Sequence, residues 1–161
     1  MDAVTPEGFL RTGDIGNVDS EGYVSLFDRS KDMLRFDGYT LNPSELENII
    51  ESMDGIEMVS VIGIPHEISV DLPAAVIVLK KDSSTVVTEQ DVMNYVAERV
   101  SIYKRLHGGV YFVDKLPMTA SGKIQKRFVK TMAIEMYEKI NKQQWETCGI
   151  QESAGIGIGI I

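Results

Sequence analysis

A loop of small residues that ends in a lysine is the segment of this 161-residue chain best suited to catalysis. It reads Pro-Met-Thr-Ala-Ser-Gly-Lys from Pro117 to Lys123. Small side chains let backbone N–H groups approach an anion, and a lysine can place positive charge where negative charge develops on a phosphate. The loop is not a Walker A motif, which requires glycine where Pro117 stands and serine or threonine where Ile124 stands. Taken alone, it is also compatible with a surface turn before a helix.

Two earlier segments place charged residues in turns. Thr12-Gly13-Asp14 is a common turn sequence, and a carboxylate on a rigid turn is suited to accept both hydrogen bonds from a vicinal diol such as ribose. Residues 28 to 32, Asp-Arg-Ser-Lys-Asp, alternate in charge, which is also typical of a solvated loop. Neither segment assigns a function by itself.

The charge distribution excludes one class of partner and indicates another. A net charge of −8 argues against a general nucleic-acid binder. Residues 101 to 145 nevertheless hold nine Lys and Arg against three Asp and Glu, whereas residues 1 to 100 hold seven against nineteen. This basic block is either a solvated helix face or a surface for a compact anionic ligand. Cys148 cannot form an internal disulfide, and no window resembles a secretory signal or a membrane span, so a cytoplasmic location is the default expectation.

Strands are predicted where alternating or β-branched runs are bounded by turn formers. Residues 16 to 28 read as two short strands around an Asp-Ser-Glu-Gly turn, which makes a β-hairpin. Residues 59 to 64 and 74 to 80 are β-rich runs that we expect in one sheet, and residues 109 to 113 form a third strand.

Three helices complete the predicted arrangement. Asn42 is expected to cap the first, with Pro43 at its first position and Glu45 completing a capping box. Thr88 is expected to cap the second, and residues 126 to 143 form the third. The apolar residues at helical spacing are, in order, Leu46, Ile49, Ile50 and Met53; Val92, Val96 and Val100; and Phe128, Met132 and Met136. The sequence therefore predicts an α+β fold, a short β-hairpin followed by a sheet packed with helices.

Together, the motifs at residues 12 to 14, 28 to 47 and 116 to 124 closely resemble the carboxyl-terminal region of the adenylate-forming superfamily. This family includes acyl-CoA synthetases, 4-coumarate-CoA ligases and beetle luciferases. Its members activate a carboxylic acid with Mg-ATP to an acyl-adenylate and pyrophosphate, and commonly transfer the acyl group to the thiol of CoA. The resemblance extends from about Pro6 to Lys139 and implies the same activity, with ATP, Mg²⁺ and CoA as substrates of the complete enzyme.

The resemblance implies a role for each matching residue. Asp14 falls at the acceptor for the AMP ribose hydroxyls, and Arg29 at a second ribose or phosphate contact. Lys31 falls at the hinge about which the small domain rotates between half-reactions. Lys123 falls at the catalytic lysine that reaches the α-phosphate and the carboxylate oxygens.

A loop around Gly38 is implied to help form the CoA pantetheine tunnel after rotation, where a missing side chain permits close approach. The family often has two lysines before this glycine, where this sequence has Arg35 and Asp37. Arg35 keeps the charge, whereas Asp37 reverses it, which disfavours light production. His66 and His107 match no family role and are interpreted as core or surface residues, and no metal ligand is implied.

The resemblance also divides the chain. Residues 1 to 30 are interpreted as the end of a large amino-terminal AMP-binding domain, residues 31 to 143 as the carboxyl-terminal lid domain, and residues 144 to 161 as a disordered tail. The acyl pocket and phosphate loop would belong to a large domain supplied in cis or in trans, without which we expect no activity. Two alternatives stay open: a stand-alone adenylate-binding or ligase-docking module, and a non-functional truncated product. Some relatives are peroxisomal, but this chain ends in Gly-Ile-Ile rather than a Ser-Lys-Leu-type signal.

Overall fold

The computed structural model describes residues 3–81 and 86–147, with side chains described as far as residue 142. The described part contains a short 3-10 helix at Ile102–Lys104 in addition to strands and α-helices. The strands are β1 (Asp14–Val18), β2 (Val24–Arg29), β3 (Leu34–Phe36), β4 (Tyr39–Leu41), β5 (Ile56–His66), β6 (Val70–Leu79) and β7 (Val110–Phe112); the helices are α1 (Pro43–Glu51), α2 (Glu89–Ala97) and α3 (Lys126–Thr147). The predicted α+β class is confirmed.

Strands β1 and β2 form a separate antiparallel hairpin, as predicted. Its turn is held by the carboxylate of Asp19, which accepts hydrogen bonds from the N–H groups of Glu21 and Tyr23, both at 2.9 Å. The register places Asp14 opposite Arg29. Local turn chemistry thus brings together two charged residues that are far apart in sequence.

The main sheet has the strand order β4-β3-β6-β5, with β7 parallel to β6 on the edge away from β5. The long antiparallel pair of β6, which is internal, and β5, which lies at one edge, is its longest ladder, and residues 59–64 and 72–78 are buried without interruption. Continuous burial means that both faces of these strands are covered. Helices α1 and α3 pack against β5, and α2 packs against α1 and β7. The prediction that residues 59 to 64 and 74 to 80 lie in one sheet is confirmed.

The hairpin formed by β3 and β4 was not predicted. Its two-residue turn is Asp37-Gly38, with φ angles of +47° and +81°. Positive φ at both positions is the requirement of a type I′ turn, for which Asp-Gly is a preferred pair. The Asp-Gly pair was therefore a signal for this hairpin, and the turn gives a structural reason for Asp37.

Helix α1 begins at the predicted residue, but its predicted capping box is wrong. Asn42 Oδ1 accepts a hydrogen bond from the N–H of Ser44 at 2.9 Å, and Pro43 occupies the first helical position. The carboxylate of Glu45 instead accepts from Lys104 Nζ at 2.7 and 2.8 Å. This charge-assisted bond to Lys104 takes the place of the weaker bond to the Asn42 N–H that a capping box requires.

Helix α2 does have a capping box. Thr88 Oγ1 accepts from the N–H of Asp91, whose carboxylate accepts from the N–H of Thr88 at 2.9 Å. The side-chain and backbone hydrogen bonds from Thr88 hold the pKa of Asp91 below its usual value. The predicted cap is confirmed, and Val92 and Val96 are buried as expected.

The buried face of α3 differs from the predicted one by one residue. Val129 and Ala133 are fully buried, whereas Phe128 is 55% exposed and Met132 is half-buried. Small side chains at positions 129 and 133 let the helix approach the sheet closely, which the larger Phe and Met would prevent. The backbone of α3 continues to Thr147, and the remainder of the predicted tail lies outside the described residues. No helix in the described ranges combines the length and apolarity needed to cross a membrane.

Candidate functional site

Asp14 and Arg29 form an accessible ion pair on the β1-β2 hairpin. Arg29 Nε lies 3.3 Å from Asp14 Oδ1, and the side chains are 56% and 30% exposed. The N–H of Asp14 donates to Thr12 Oγ1 at 3.2 Å, which fixes the turn before the strand. Such an exposed pair contributes little to stability. Its carboxylate and guanidinium are instead placed side by side where a polyol or phosphate can reach both.

Lys31 lies in the segment that connects this hairpin to β3. Its side chain is exposed, and the N–H of Asp32 bonds to the carbonyl of Arg29 at 3.0 Å. Asp28 links the two sides of this segment, because its Oδ2 accepts a hydrogen bond from Ser44 Oγ of α1 at 2.8 Å. The same oxygen lies 3.4 Å from the Ser44 N–H, so the Asp28 side chain spans the predicted hinge.

The loop that carries Lys123 is closed by its own hydrogen bonds. The N–H of Thr119 donates to the carbonyl of Lys123 at 2.8 Å, and the N–H of Lys123 donates to Thr119 Oγ1 at 3.0 Å. At its base, the N–H of Gln125 donates to the carbonyl of Pro117 at 2.9 Å. Residues 117–125 are called the Lys123 loop below. The Lys123 side chain is exposed, and Nζ has no ion-pair partner in the part of the chain that the structure describes.

A cleft of about 680 Å³ separates residues 29–34, which contain the predicted hinge, from the start of α3. Three of its cations are paired, Arg29 with Asp14 at 3.3 Å, Lys126 with Glu47 at 3.0 Å and Lys130 with Asp71 at 3.6 Å. Its charged lining residues are Arg29, Lys31, Asp32, Asp71, Lys126, Arg127 and Lys130. The fold thus brings the hinge lysine against the basic block, and positive charge is in excess. Ile124 also lines the cleft, so the Lys123 loop borders it, whereas Lys123 itself does not line it.

The other two predicted site residues lie on the β3-β4 hairpin. The Arg35 side chain is exposed, and its N–H donates to the Asp71 carboxylate at 3.1 Å. Gly38 is at the tip of the hairpin, where a side chain would meet no atom within 4 Å. Neither residue lines the cleft. The structure therefore places the predicted nucleotide and CoA positions on different elements.

Glu47 holds Lys126, a lining residue of the cleft, in a contact that the sequence did not reveal. Its Oε1 accepts the N–H of Val61 at 2.8 Å, and its carboxylate pairs with Lys126. A glutamate in the second turn of a helix is an ordinary pattern, and Lys126 is 79 positions away, so no local signal identifies the pair.

Both histidines have structural roles, as interpreted. His66 Nδ1 accepts the N–H of Ser69 at 3.1 Å. His107 stacks on Phe36 with ring centroids 4.3 Å apart, and its Nε2 bonds to the carbonyl of Ile102 at 2.8 Å. Within residues 3–81 and 86–147, no three His, Cys, Asp or Glu side chains are grouped to hold a metal ion.

A family model and several curated proteins match this chain in sequence. The family model described as the AMP-binding enzyme C-terminal domain matches residues 45–123. The chain is 41% identical over 127 residues to luciferin 4-monooxygenase of Nipponoluciola cruciata, covering 79% of this chain and 23% of that protein. It is 34% identical over 136 residues to 4-coumarate-CoA ligase-like 1 of Arabidopsis thaliana, covering 84% and 24%. The chain thus spans about a quarter of the length of these curated relatives.

Solved structures agree with the sequence relatives. The ATP-bound crystal structure of MatB from Rhodopseudomonas palustris superposes with a TM-score of 0.76 at 31% identity, over 84% of this chain and 26% of that one. The o-succinylbenzoate CoA synthetase MenE from Bacillus subtilis, in complex with its acyl-adenylate intermediate, gives a TM-score of 0.70 at 30% identity, over 80% and 25%.

Proposed function

Because the chain belongs to the adenylate-forming (AMP-binding) superfamily and carries its carboxyl-terminal domain, we propose that it is the mobile lid of an ATP-dependent acid-CoA ligase. In the first half-reaction, a carboxylate oxygen attacks the α-phosphorus of ATP, the bond to the β-phosphate oxygen breaks, and pyrophosphate leaves. In the second, the CoA thiol loses its proton, the sulfur attacks the acyl carbonyl, and AMP leaves. The 4-coumarate-CoA ligase-like relatives support this reaction class.

The observation that carries the proposal is the ammonium group of Lys123, which lies on a self-closed turn and has no ion-pair partner among the described residues. An unpaired lysine has no ion pair to break before it reaches the α-phosphate, and the internal bonds of the loop reduce the motions available to its backbone. Positive charge at that point offsets the negative charge that builds as the acid attacks.

Asp14 and Arg29 are proposed to bind the nucleotide. The Asp14 carboxylate accepts hydrogen bonds from the two ribose hydroxyls, and the Arg29 guanidinium donates to the ribose or to the phosphate. Both side chains are accessible and already adjacent. Magnesium, which binds the phosphates of ATP in this chemistry, is assigned to no residue of the described ranges.

Rotation of the lid is proposed to switch the active site from the first half-reaction to the second. Residues 1 to 30 complete the large domain, residues 31 to 143 form the lid, and Lys31 is the hinge. After rotation, the hairpin with Arg35 and Gly38 replaces the Lys123 loop at the site and lines the pantetheine tunnel. Arg35 and Gly38 lie on the β3-β4 hairpin and Lys123 on a separate loop, so a rotation of the lid would present the two elements in turn.

A large amino-terminal domain, in cis or in trans, is the proposed partner of this chain. The β1-β2 hairpin exposes apolar side chains that a partner would cover, namely Val18, Tyr23, Val24, Leu26 and Phe27. We expect the lid alone not to catalyse adenylation, because one lysine is ineffective unless the acid and ATP are also positioned.

The proposal is tested by joining the chain to the large domain of a 4-coumarate-CoA ligase and measuring acyl-adenylate formation. Activity should appear only in the joined protein. Lys123→Ala should reduce it by about 100-fold, as for the loss of one transition-state contact. Lys139→Ala, which removes an exposed lysine of α3, is the control and should leave activity unchanged. Equal activity of Lys123→Ala and the parent would refute the assigned role.

A second candidate function, a stand-alone adenylate-binding module, is favoured by the accessible Asp14 and Arg29 pair. It predicts that the chain alone binds AMP or an acyl-adenylate in calorimetric titration, and that Asp14→Asn weakens this binding. Absence of heat with both ligands, and of binding to a full-length ligase, would rule it out.

A further inference from the structure

We infer that Glu47 is a positioning residue for Lys123: its carboxylate fixes the first turn of α3 and thereby the direction in which the Lys123 loop presents its ammonium group. The inference rests on the proposed function, because it assigns to Glu47 an effect that is exerted only through Lys123.

Glu47 joins three elements at one carboxylate. It belongs to α1, its Oε1 accepts the N–H of Val61 in β5 at 2.8 Å, and Lys126 of α3 lies 3.0 Å from the same oxygen. Val61 pairs with β6 on its other side, so this N–H lies on the free edge of the sheet. The Glu47 and Lys126 side chains are only 16% and 28% exposed. Partial burial reduces solvent screening, which makes this pair more directional than a surface ion pair.

The position of Lys126 in the chain makes the contact relevant to catalysis. Lys126 is the first residue of α3, and it directly follows Gln125, whose bond to Pro117 closes the Lys123 loop. The loop is closed on itself and anchored at both ends, by the buried Leu116 before it and by α3 after it, so a displacement of the first turn of α3 would turn the loop relative to the sheet. Val129 and Ala133 hold the following turns by apolar packing, which has no preferred direction. The polar contact of Lys126 with Glu47 supplies the direction.

The chain offers a matched control for this contact. Glu45 lies two residues earlier on α1 and pairs with Lys104 at 2.7 Å, with side-chain exposures of 42% and 25%. This pair joins α1 to the 3-10 helix at Ile102–Lys104 and has no contact with the Lys123 loop. Removing either glutamate's charge therefore breaks a comparable ion pair, but only the Glu47 change should move Lys123.

The test measures both kinetic parameters of adenylation in the protein joined to a large domain. Glu47→Gln keeps an oxygen acceptor for the Val61 N–H and removes the charge that holds Lys126. We expect the kcat for adenylation to fall about 10- to 100-fold, since small displacements of a catalytic group have effects of this size, with KM for ATP nearly unchanged. Lys126→Gln breaks the same pair from the other side and should reproduce the loss. Glu45→Gln should retain the parent's kcat.

A double variant separates positioning from a general structural effect. In the Lys123→Ala background, Glu47→Gln should cause no further loss of kcat, because the group that it positions is already absent. If Glu47→Gln behaves like Glu45→Gln, or if its effect persists undiminished in the Lys123→Ala background, the inference is wrong although the proposed function stands. If Lys123→Ala itself retains full activity, the proposed function fails, and this inference fails with it. Thermal unfolding of the two glutamate variants verifies that both are folded.

Discussion

In the described part of the chain Lys123 has no carboxylate beside it, as is also true of Lys31 and Arg127 of the cleft. Lys126 and Lys130 are each held by an acidic partner, at 3.0 and 3.6 Å. The sequence predicts Lys123 because a lysine that follows Ser-Gly in a loop of small residues is a local pattern. Glu47 could not be predicted in this way, since its significance depends on a contact between residues of two distant helices.

Tyr111 gives a prediction about pH at the same scale. Burial raises the pKa of its hydroxyl to about 12, with a further contribution from Tyr137 and Glu89. Since the folded state favours the protonated form, this contribution to stability is complete below the unfolded pKa of about 10 and is lost as pH rises towards 12.

Between about pH 8 and pH 11, the parent should therefore lose about 1.4 kcal/mol of unfolding free energy relative to Tyr111→Phe. Urea denaturation of both proteins across this range is the measurement. Parallel pH dependences of the two proteins would contradict the assigned shift. A constant offset is expected in addition, because the phenylalanine leaves the carbonyl of Gly108 without the hydrogen bond that it accepts from the Tyr111 hydroxyl at 2.7 Å.

At the scale of elements, the short β3-β4 hairpin was predictable from its Asp37-Gly38 turn but was not predicted. The sequence resemblance drew attention to the charge of Asp37, whereas the fold uses Asp37 and Gly38 for their backbone conformation. Helix starts were predictable because capping is local. The buried face of α3 was not, because the choice between Phe128 and Val129 depends on the space beside the sheet.

Gly38→Ala should destabilise the chain because of backbone conformation alone. A methyl group at Gly38 would meet no atom within 4 Å, but φ is +81°. We expect a loss of about 1–2 kcal/mol in the free energy of unfolding, the usual penalty for a left-handed non-glycine residue. Asp37→Asn is the control and should be close to neutral, because asparagine tolerates positive φ. Equal stabilities in urea denaturation would contradict the assigned turn.

The contact between Asp28 and Ser44 predicts how the hinge segment is restrained. It is a hydrogen bond of 2.8 Å between β2 and α1, on either side of Lys31. Ser44→Ala should therefore increase the rate of trypsin cleavage after Lys31 by about fivefold, corresponding to one side-chain hydrogen bond of about 1 kcal/mol. Ser52→Ala, at the other end of α1, removes a hydroxyl that bonds only locally and to Tyr95. If both variants are cleaved at the parent's rate, the contact does not restrain the hinge.

At the scale of the whole molecule, the α+β class and the two longest strands followed from residue patterns, because β5 and β6 are long, apolar and bounded by clear turns. Strand order and the parallel pairing of β7 depend on contacts between distant residues and were not predicted. The same holds for the site. Its motifs are local in sequence, whereas the cleft between residues 29–34 and α3 forms only when distant residues are brought together. In the proposed function, the choice of carboxylic acid belongs to the large domain.

The most direct test of the central claim separates the two half-reactions in the protein joined to a large domain. Lys123→Ala should lose about 100-fold in acyl-adenylate formation from ATP and the acid, yet convert a supplied acyl-adenylate to the CoA thioester at nearly the parent's rate. This outcome is expected if, as proposed, the lysine acts on the α-phosphate only while the adenylate forms. Equal losses in both half-reactions, or no loss in either, would contradict the account of this chain as a lid that presents Lys123 for adenylation.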